Sequence, residues 1–166
     1  GLSFWWIIHE IYFPIYISLL GYSDKIVGLV LAGGIVPLIL FEKLIGNLAD
    51  KHGMRPFLAL GFLLLGAITV LFSITPIVSV VLFLMAFVNI GSAFIEPLQD
   101  AYLFKAAKRK DEDRFYGIFK MSYPIANVVA PLIAAGLIFI GGFNGLWYGT
   151  AVIMFVFAAV SFTAKR

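Results

Sequence analysis

The sequence predicts an all-α membrane protein with six transmembrane helices, and three observations support this fold class. First, 62% of the 166 residues are hydrophobic and only 13% are charged, whereas soluble domains carry about 25% charged residues. Second, residues 56–95 and 121–164 contain no Asp, Glu, Lys or Arg. Each segment is about twice as long as the roughly 20 apolar residues that one spanning helix needs. Third, each segment has a turn signal near its middle, so each predicts two helices.

The turn signals and the polar residues define the helix boundaries. The uncharged segments are divided at residues 73–76 (Ser-Ile-Thr-Pro) and 141–145 (Gly-Gly-Phe-Asn-Gly), which favour turns. A polar turn at residues 21–25 separates two further apolar stretches. The alternation of apolar and polar residues that is typical of membrane β-strands is not seen. We therefore predict a single domain over residues 1–166, with helices at about 2–20, 26–46, 56–73, 77–102, 115–140 and 146–163.

The basic residues indicate how these helices are oriented in the membrane. Of the 12 Lys and Arg residues, only Lys25 lies in the turns at 21–25, 73–76 and 141–145. The others lie toward the opposite ends of the predicted helices, and such an excess of basic residues marks cytoplasmic loops. We therefore expect a multi-pass protein of the cell membrane with both ends of this segment in the cytoplasm. The charged run at 103–114 is expected to be a solvated hairpin, not a nucleic-acid site.

A polar motif stands between the second and third predicted helices: Gly46-Asn47-Leu48-Ala49-Asp50-Lys51-His52-Gly53-Met54-Arg55-Pro56. Gly46 allows helix backbones to approach closely. Asp50 can face the positive N-terminus of another helix, and Arg55 can pair with a carboxylate such as Asp50. Gly53 can adopt the positive φ that a tight turn needs, and Pro56 suits the first turn of the next helix.

This motif resembles the signature of the major facilitator superfamily, Gly-x-Leu-Ala-Asp-Arg/Lys-x-Gly-Arg/Lys-Arg/Lys, in a short cytoplasmic loop. The matching residues are Gly46, Leu48, Ala49, Asp50, Lys51, Gly53 and Arg55. Met54 departs from the signature, because the family often has a basic residue there. The resemblance implies a latch between the cytoplasmic ends of helices that steadies one state of an alternating-access cycle. A merely structural loop is the alternative.

The resemblance also implies an architecture and a set of partners. Transporters of this family contain two six-helix halves, so the chain is expected to be one half of a twelve-helix bundle. Its expected partners are a small-molecule substrate, the lipid bilayer and the other six-helix half. The chain opens without Met and ends at residues 163–166 with no long central linker begun. These features favour the C-terminal half, and the N-terminal half is the alternative.

The first predicted helix carries ionisable and aromatic residues. Trp5, His9, Tyr12 and Tyr16 lie at helical spacing along one stripe, and Glu10 is near the middle of the helix. Ionisable residues within a span usually face the bundle interior or water. We therefore predict a cavity wall in which the aromatic rings contact an organic substrate and Glu10 accepts a proton or pairs with a cation. The alternative is an interhelical hydrogen bond, with the aromatic residues at the lipid interface.

The fourth predicted helix has Glu96 and Asp100 toward its cytoplasmic end. We expect these carboxylates to pair with Arg55, Lys105 or Lys120, which would close an inner gate. A static structural network is the alternative.

The fifth predicted helix aligns Lys120, Tyr123 and Asn127 on one face. Tyr123 and Asn127 are candidates for lining a transport pathway. A hydrogen bond that packs two helices together is an equally good interpretation.

The sequence predicts no enzyme, no cofactor and no metal site. It contains no Cys, and adjacent residues such as His9 and Glu10 point about 100° apart on a helix. The expected function is secondary transport of a small organic solute by alternating access, as a symporter or an antiporter. Proton coupling through Glu10 and efflux of amphipathic compounds are the finer predictions. A non-transporting membrane scaffold or receptor with the same fold is the alternative.

Overall fold

The computed structural model describes residues 1–75, 77–106 and 112–163, and within these ranges it contains helices and no strand. The all-helical prediction is therefore confirmed for the described part of the chain. The helices are α1 (Leu2–Leu19), α2 (Asp24–His52), α3 (Met54–Ile74), α4 (Val78–Ala93), α5 (Glu96–Ala106), α6 (Glu112–Lys120) and α7 (Ser122–Thr163).

The long helix α7 is interrupted at two glycines. Gly141 and Gly142 leave the helical conformation, and Gly142 has a φ of 60°, which favours glycine. A Cβ on Gly145 would lie 2.6 Å from the carbonyl oxygen of Leu137, and the Leu137 side chain packs on Gly149. The two arms of α7, residues 122–140 and 143–163, therefore fold back against each other. The break lies within the predicted turn at 141–145.

The fourth predicted helix is broken in the structure. Phe94 and Ile95 form a turn between α4 and α5, with N–H groups bonded to the carbonyls of Gly91 and Ser92. Pro97 explains the break, because a proline has no N–H group and its ring clashes with the carbonyl four residues earlier. A similar turn at Met121, three residues before Pro124, separates α6 from α7. The prediction of unbroken helices over 77–102 and 115–140 was wrong at these two points.

The signature motif is more helical than predicted. Helix α2 continues through residues 46–52 to His52, although the prediction ended it at about residue 46. Only Gly53 leaves the helix, with a φ of 92°, and its N–H donates to the carbonyl of Ala49 over 2.8 Å. Leu, Ala and Lys are good helix formers, so nothing before Gly53 ends α2. Helix α3 begins at Met54, which leaves Pro56 in its first turn.

Helix α3 lies at the centre of the packing. It contacts α4 where Gly61 and Gly91 meet, and a Cβ on Gly61 would lie 2.9 Å from the carbonyl oxygen of Gly91. Its other face packs on the second arm of α7, where the Phe62 and Phe157 rings stack with centroids 5.6 Å apart. Close backbone approach at small residues is typical of membrane helix pairs. Helix α2 packs mainly on α4, and α1 packs mainly on α7.

Four helical stretches of the described chain are long and apolar enough to cross a membrane, judged by length and composition: Lys25–His52, Met54–Ile74, Ser79–Phe104 and Tyr116–Thr163. The last stretch contains the break at Gly141 and Gly142. Helix α1, with His9 and Glu10 near its middle, is not among the four. These stretches support a multi-pass membrane protein.

Candidate functional site

A cleft of about 820 Å³ lies between α1, α2, the α4–α5 segment and the α6–α7 segment. Its wall combines apolar, aromatic, amide, hydroxyl and charged side chains. The lining residues are Leu2, Ser3, Trp6, His9, Glu10, Leu31, Ile35, Leu38, Asn89, Glu96, Gln99, Phe119, Lys120, Ser122, Tyr123 and Pro124.

Helix α1 supplies one wall of the cleft. Ser3, Trp6 and Glu10 follow one another at spacings of three and four, which places them on a single helix face. Glu10 is exposed to the cleft, and its Oε2 lies 3.5 Å from the Tyr123 hydroxyl, at the long limit of a hydrogen bond. The Ser3 and Ser122 hydroxyls approach within 3.3 Å. These two contacts join α1 to the start of α7.

The wall formed by α4 and α5 contains an amide and a carboxylate side chain. Asn89 of α4 is buried, and its side chain lies against Gly34 of α2. Asn89 Oδ1 and Glu96 Oε2 have no hydrogen-bond partner among the residues that the structure describes. Glu96 also lies within electrostatic range of Glu42, Asp100 and Lys120. The cleft therefore has a carboxylate on two of its sides, Glu10 of α1 and Glu96 of α5.

An ion pair stands at the rim of the cleft. Lys120 Nζ lies 3.9 Å from Asp100 Oδ2, and the two side chains are 53% and 43% exposed. The same ammonium lies 5.1 Å from the centroid of the Tyr116 ring. Lys120 is one of the partners that the sequence analysis named for Asp100. Arg55 Nη2 has no hydrogen-bond partner among the described residues, and the Lys105 side chain lies outside them.

The other predicted residues of α1 occupy different surroundings. His9 lines the cleft, and its ring stacks on Trp5 with centroids 4.7 Å apart and on Phe13 with centroids 5.9 Å apart. Trp5 is buried, and its Nε1–H donates to Thr69 Oγ1 over 3.4 Å. The Tyr12 hydroxyl donates to the carbonyl of Pro131 over 3.2 Å. Trp5 and Tyr12 thus hold α1 against α3 and α7 and do not line the cleft.

Two further candidates also lie outside the cleft. Tyr16 packs against Phe143 and Trp147 of the second arm of α7. Asn127 is exposed, and its Nδ2 donates to the Tyr123 carbonyl one turn earlier in the same helix. Their predicted role in a pathway stays a prediction, while His9, Glu10 and Tyr123 are brought together at the cleft.

Several cleft residues were not among the predicted site residues. Ser3 and Trp6 stand seven and four positions before Glu10, so the helical period could have found them. Asn89 stands seven positions before Glu96, and Gln99 stands three positions after it. In a continuous helix these spacings would put all three residues on one face. The sequence around Ser122 does not indicate that it lines the cleft. Its position there depends on how α7 packs against α1.

The signature motif forms a packing unit away from the cleft. Ile45 and Ala49 of α2 form a small buried cluster with Met54, Ala93 and Leu98, so α2 and α3 meet the α4–α5 break there. Burial of Met54 explains why an apolar side chain can replace the basic residue of the signature. Gly46 is half-buried, Asp50 and Lys51 are exposed, and Arg55 is half-buried.

Metal binding has no support in the described ranges. They contain no group of three or more His, Cys, Asp or Glu side chains that could hold a metal ion.

Comparison with known proteins identifies the family. The family model described as Major Facilitator Superfamily matches residues 3–166. The chain belongs to the Major Facilitator Superfamily. Membership confirms the resemblance of the motif, supports a role in membrane transport and points to a transporter rather than an enzyme.

One relative is an uncharacterised MFS-type transporter of Methanocaldococcus jannaschii, 25% identical over 135 residues. The match covers 81% of this chain and 33% of the relative, so the chain spans about a third of that protein's length. No solved structure gives a significant match. The assignment to the C-terminal half of a transporter stays a prediction.

Proposed function

We propose that this chain is one six-helix half of a secondary transporter that moves a small organic solute by alternating access. Six spans correspond to α1, α2, α3, the α4–α5 segment, α6 with the first arm of α7, and the second arm of α7. Family membership and the apolar helices support this arrangement. The resident membrane is the cell membrane, with both ends of the segment in the cytoplasm.

The cleft carries the proposal. Its volume of about 820 Å³ lies within the about 300–1,000 Å³ that is usual for small-molecule sites. Trp6, Phe119 and Tyr123 provide aromatic contacts, and Glu10 and Glu96 provide carboxylates. Apolar walls with a few placed polar groups are typical of sites for organic ligands. The solute therefore binds between α1 and the α4–α5 segment.

The second half of the transporter covers the cleft. Helix α2 and the first arm of α7 flank it and expose large apolar side chains such as Leu29 and Leu132. Such surface needs lipid or another helix bundle beside it. The relative is about three times as long as the matched region, so a further bundle has room in the full-length protein. Ser3, Gln99 and Lys120 lie near the helix ends that face the cytoplasm, so the cleft opens to that side.

Cysteine labelling tests this function, since the chain contains no Cys. Ser3→Cys and Ser122→Cys place a thiol in the cleft, and Val128→Cys places one on the exposed apolar face of α7. In inside-out vesicles containing the full-length protein, a charged, membrane-impermeant thiol reagent should modify both cleft variants and spare Val128→Cys. Equal protection of all three variants would favour the non-transporting scaffold, which has no water-filled path.

Proton coupling is a finer part of the proposal and depends on Glu10. Ethidium, an amphipathic aromatic cation, is a suitable probe because the cleft combines aromatic rings with carboxylates. Cells that express the full-length protein should export ethidium, and collapse of the proton gradient or Glu10→Gln should abolish the export. Export that is insensitive to both treatments would remove proton coupling and leave the transport function intact.

A further inference from the structure

A second, much smaller void is lined by buried residues. It has a volume of about 10 Å³ and lies between α1, α3, α4 and the second arm of α7. Apolar side chains such as Phe72 and Met85 form part of its wall, and His9, Trp147 and Thr150 contribute polar groups. His9 lines both this void and the cleft. His9 is therefore the residue of the described chain that these two walls share.

The polar groups around the void are buried and unsatisfied. Both ring nitrogens of His9, Nε1 of Trp147 and Oγ1 of Thr150 have no hydrogen-bond partner among the described residues. None of these three side chains is more than 5% exposed. The neighbouring Trp5 and Thr69 differ, because they bond to each other and Thr69 also donates to the Leu65 carbonyl. Buried polar groups are almost always bonded to protein or to ordered water.

We propose that this void is a site for one internal water molecule, bound by His9, Trp147 and Thr150. Its volume matches the lower end of the about 10–15 Å³ that a single water needs. The chemistry is complementary, because the Trp147 Nε1–H donates to the water oxygen and the water donates to a His9 nitrogen or to Thr150 Oγ1. Three polar partners are the usual number for a buried water.

The water gives His9 a hydrogen-bond partner inside the bundle. The ring is already held between Trp5 and Phe13 by stacking, and the hydrogen bond fixes its rotation about that stack. The water therefore fixes the orientation of the imidazole within the bundle. This inference does not rest on the transport function, because the void lies entirely within the described chain.

Two buried methionines allow a direct test by hydroxyl-radical labelling. Met85 lines the void and is 2% exposed, whereas Met154 is 0% exposed and does not line it. Synchrotron radiolysis of the full-length protein in lipid nanodiscs generates radicals from bound water as well as from bulk water. Met85 should be oxidised several-fold faster than Met154, although both are shielded from solvent. Equal protection of the two methionines would overturn the proposal.

Thr150→Val keeps the shape of the side chain and removes the hydroxyl. Oxidation of Met85 should then fall toward the level of Met154, while Thr163→Val, an exposed position on the same arm, should leave it unchanged. If the Thr150→Val protein does not fold, Trp147→Phe removes a second water ligand and serves the same purpose. Unchanged oxidation of Met85 in the folded variant would show that no water is bound by these groups.

Discussion

The two sides of this molecule differ in how completely the chain itself covers them. Helix α3 is enclosed by α4 and by the second arm of α7, and Leu65 at its centre is 0% exposed. Helix α2 and the first arm of α7 leave most of their side chains uncovered, and Leu132 is 70% exposed. Helices on both sides are apolar enough to cross a membrane.

This difference indicates what each side is for. Close packing of α3 depends on glycines that let backbones touch, as at Gly61 and Gly91. The open side has glycines too, but a Cβ on Gly28 or Gly136 would meet no atom within 4 Å. The enclosed side therefore stabilises the bundle, and the open side is a surface that the chain itself does not cover.

The largest expected difference in stability is between a glycine-to-leucine substitution on the enclosed side and the same substitution on the open side. Gly61→Leu forces a branched side chain into the Gly91 backbone and should cost about 3 kcal/mol of stability, the upper end of the about 1–3 kcal/mol that overpacking typically costs. Gly28→Leu meets open space and should change stability by less than about 0.5 kcal/mol. Thermal unfolding of the purified full-length protein in detergent measures both. A large loss with Gly28→Leu would mean that the rest of the transporter packs on this face of α2.

A cavity-forming substitution should separate the two sides by a comparable amount. Leu65→Ala removes a buried side chain from α3 and should cost about 2–5 kcal/mol. Leu132→Ala, on the exposed face of α7, should cost less than about 0.5 kcal/mol. The same unfolding measurement compares them. Equal losses would contradict the division into an enclosed and an open side.

Much of the fold could be predicted from the sequence. The runs without charge located the apolar helices, and the glycines at 141–142 located the break in α7 because a helix rarely continues through them. The extension of α2 through residues 46–52 was not predicted. Polar residues in the motif are compatible with a helix or a loop, and burial of Ala49 in a cluster with Leu98 adds to the helix propensity of Leu, Ala and Lys.

The site was less predictable, because helical spacing indicates which residues share a face and not what covers that face. Trp5, His9, Tyr12 and Tyr16 follow one stripe, yet α3 and α7 cover most of that stripe and leave only His9 at the cleft. Glu10 is one residue away on a neighbouring face, which remains open. Asn89 and Ser122 line the same cleft because of tertiary packing. The spacing of residues within one helix gives no information about that packing.

The smallest expected effect concerns the ion pair at the rim of the open side. Lys120 and Asp100 are both about half exposed, so water screens their attraction and the pair should contribute about 0.2–1 kcal/mol to stability. A double-mutant cycle of Lys120→Met and Asp100→Asn by thermal unfolding measures this coupling energy.

If the pair acts as a gate, breaking it should instead change the rate at which a thiol in the Ser122→Cys variant reacts from the cytoplasmic side. A coupling energy without any change in labelling rate would favour the static network over the gate.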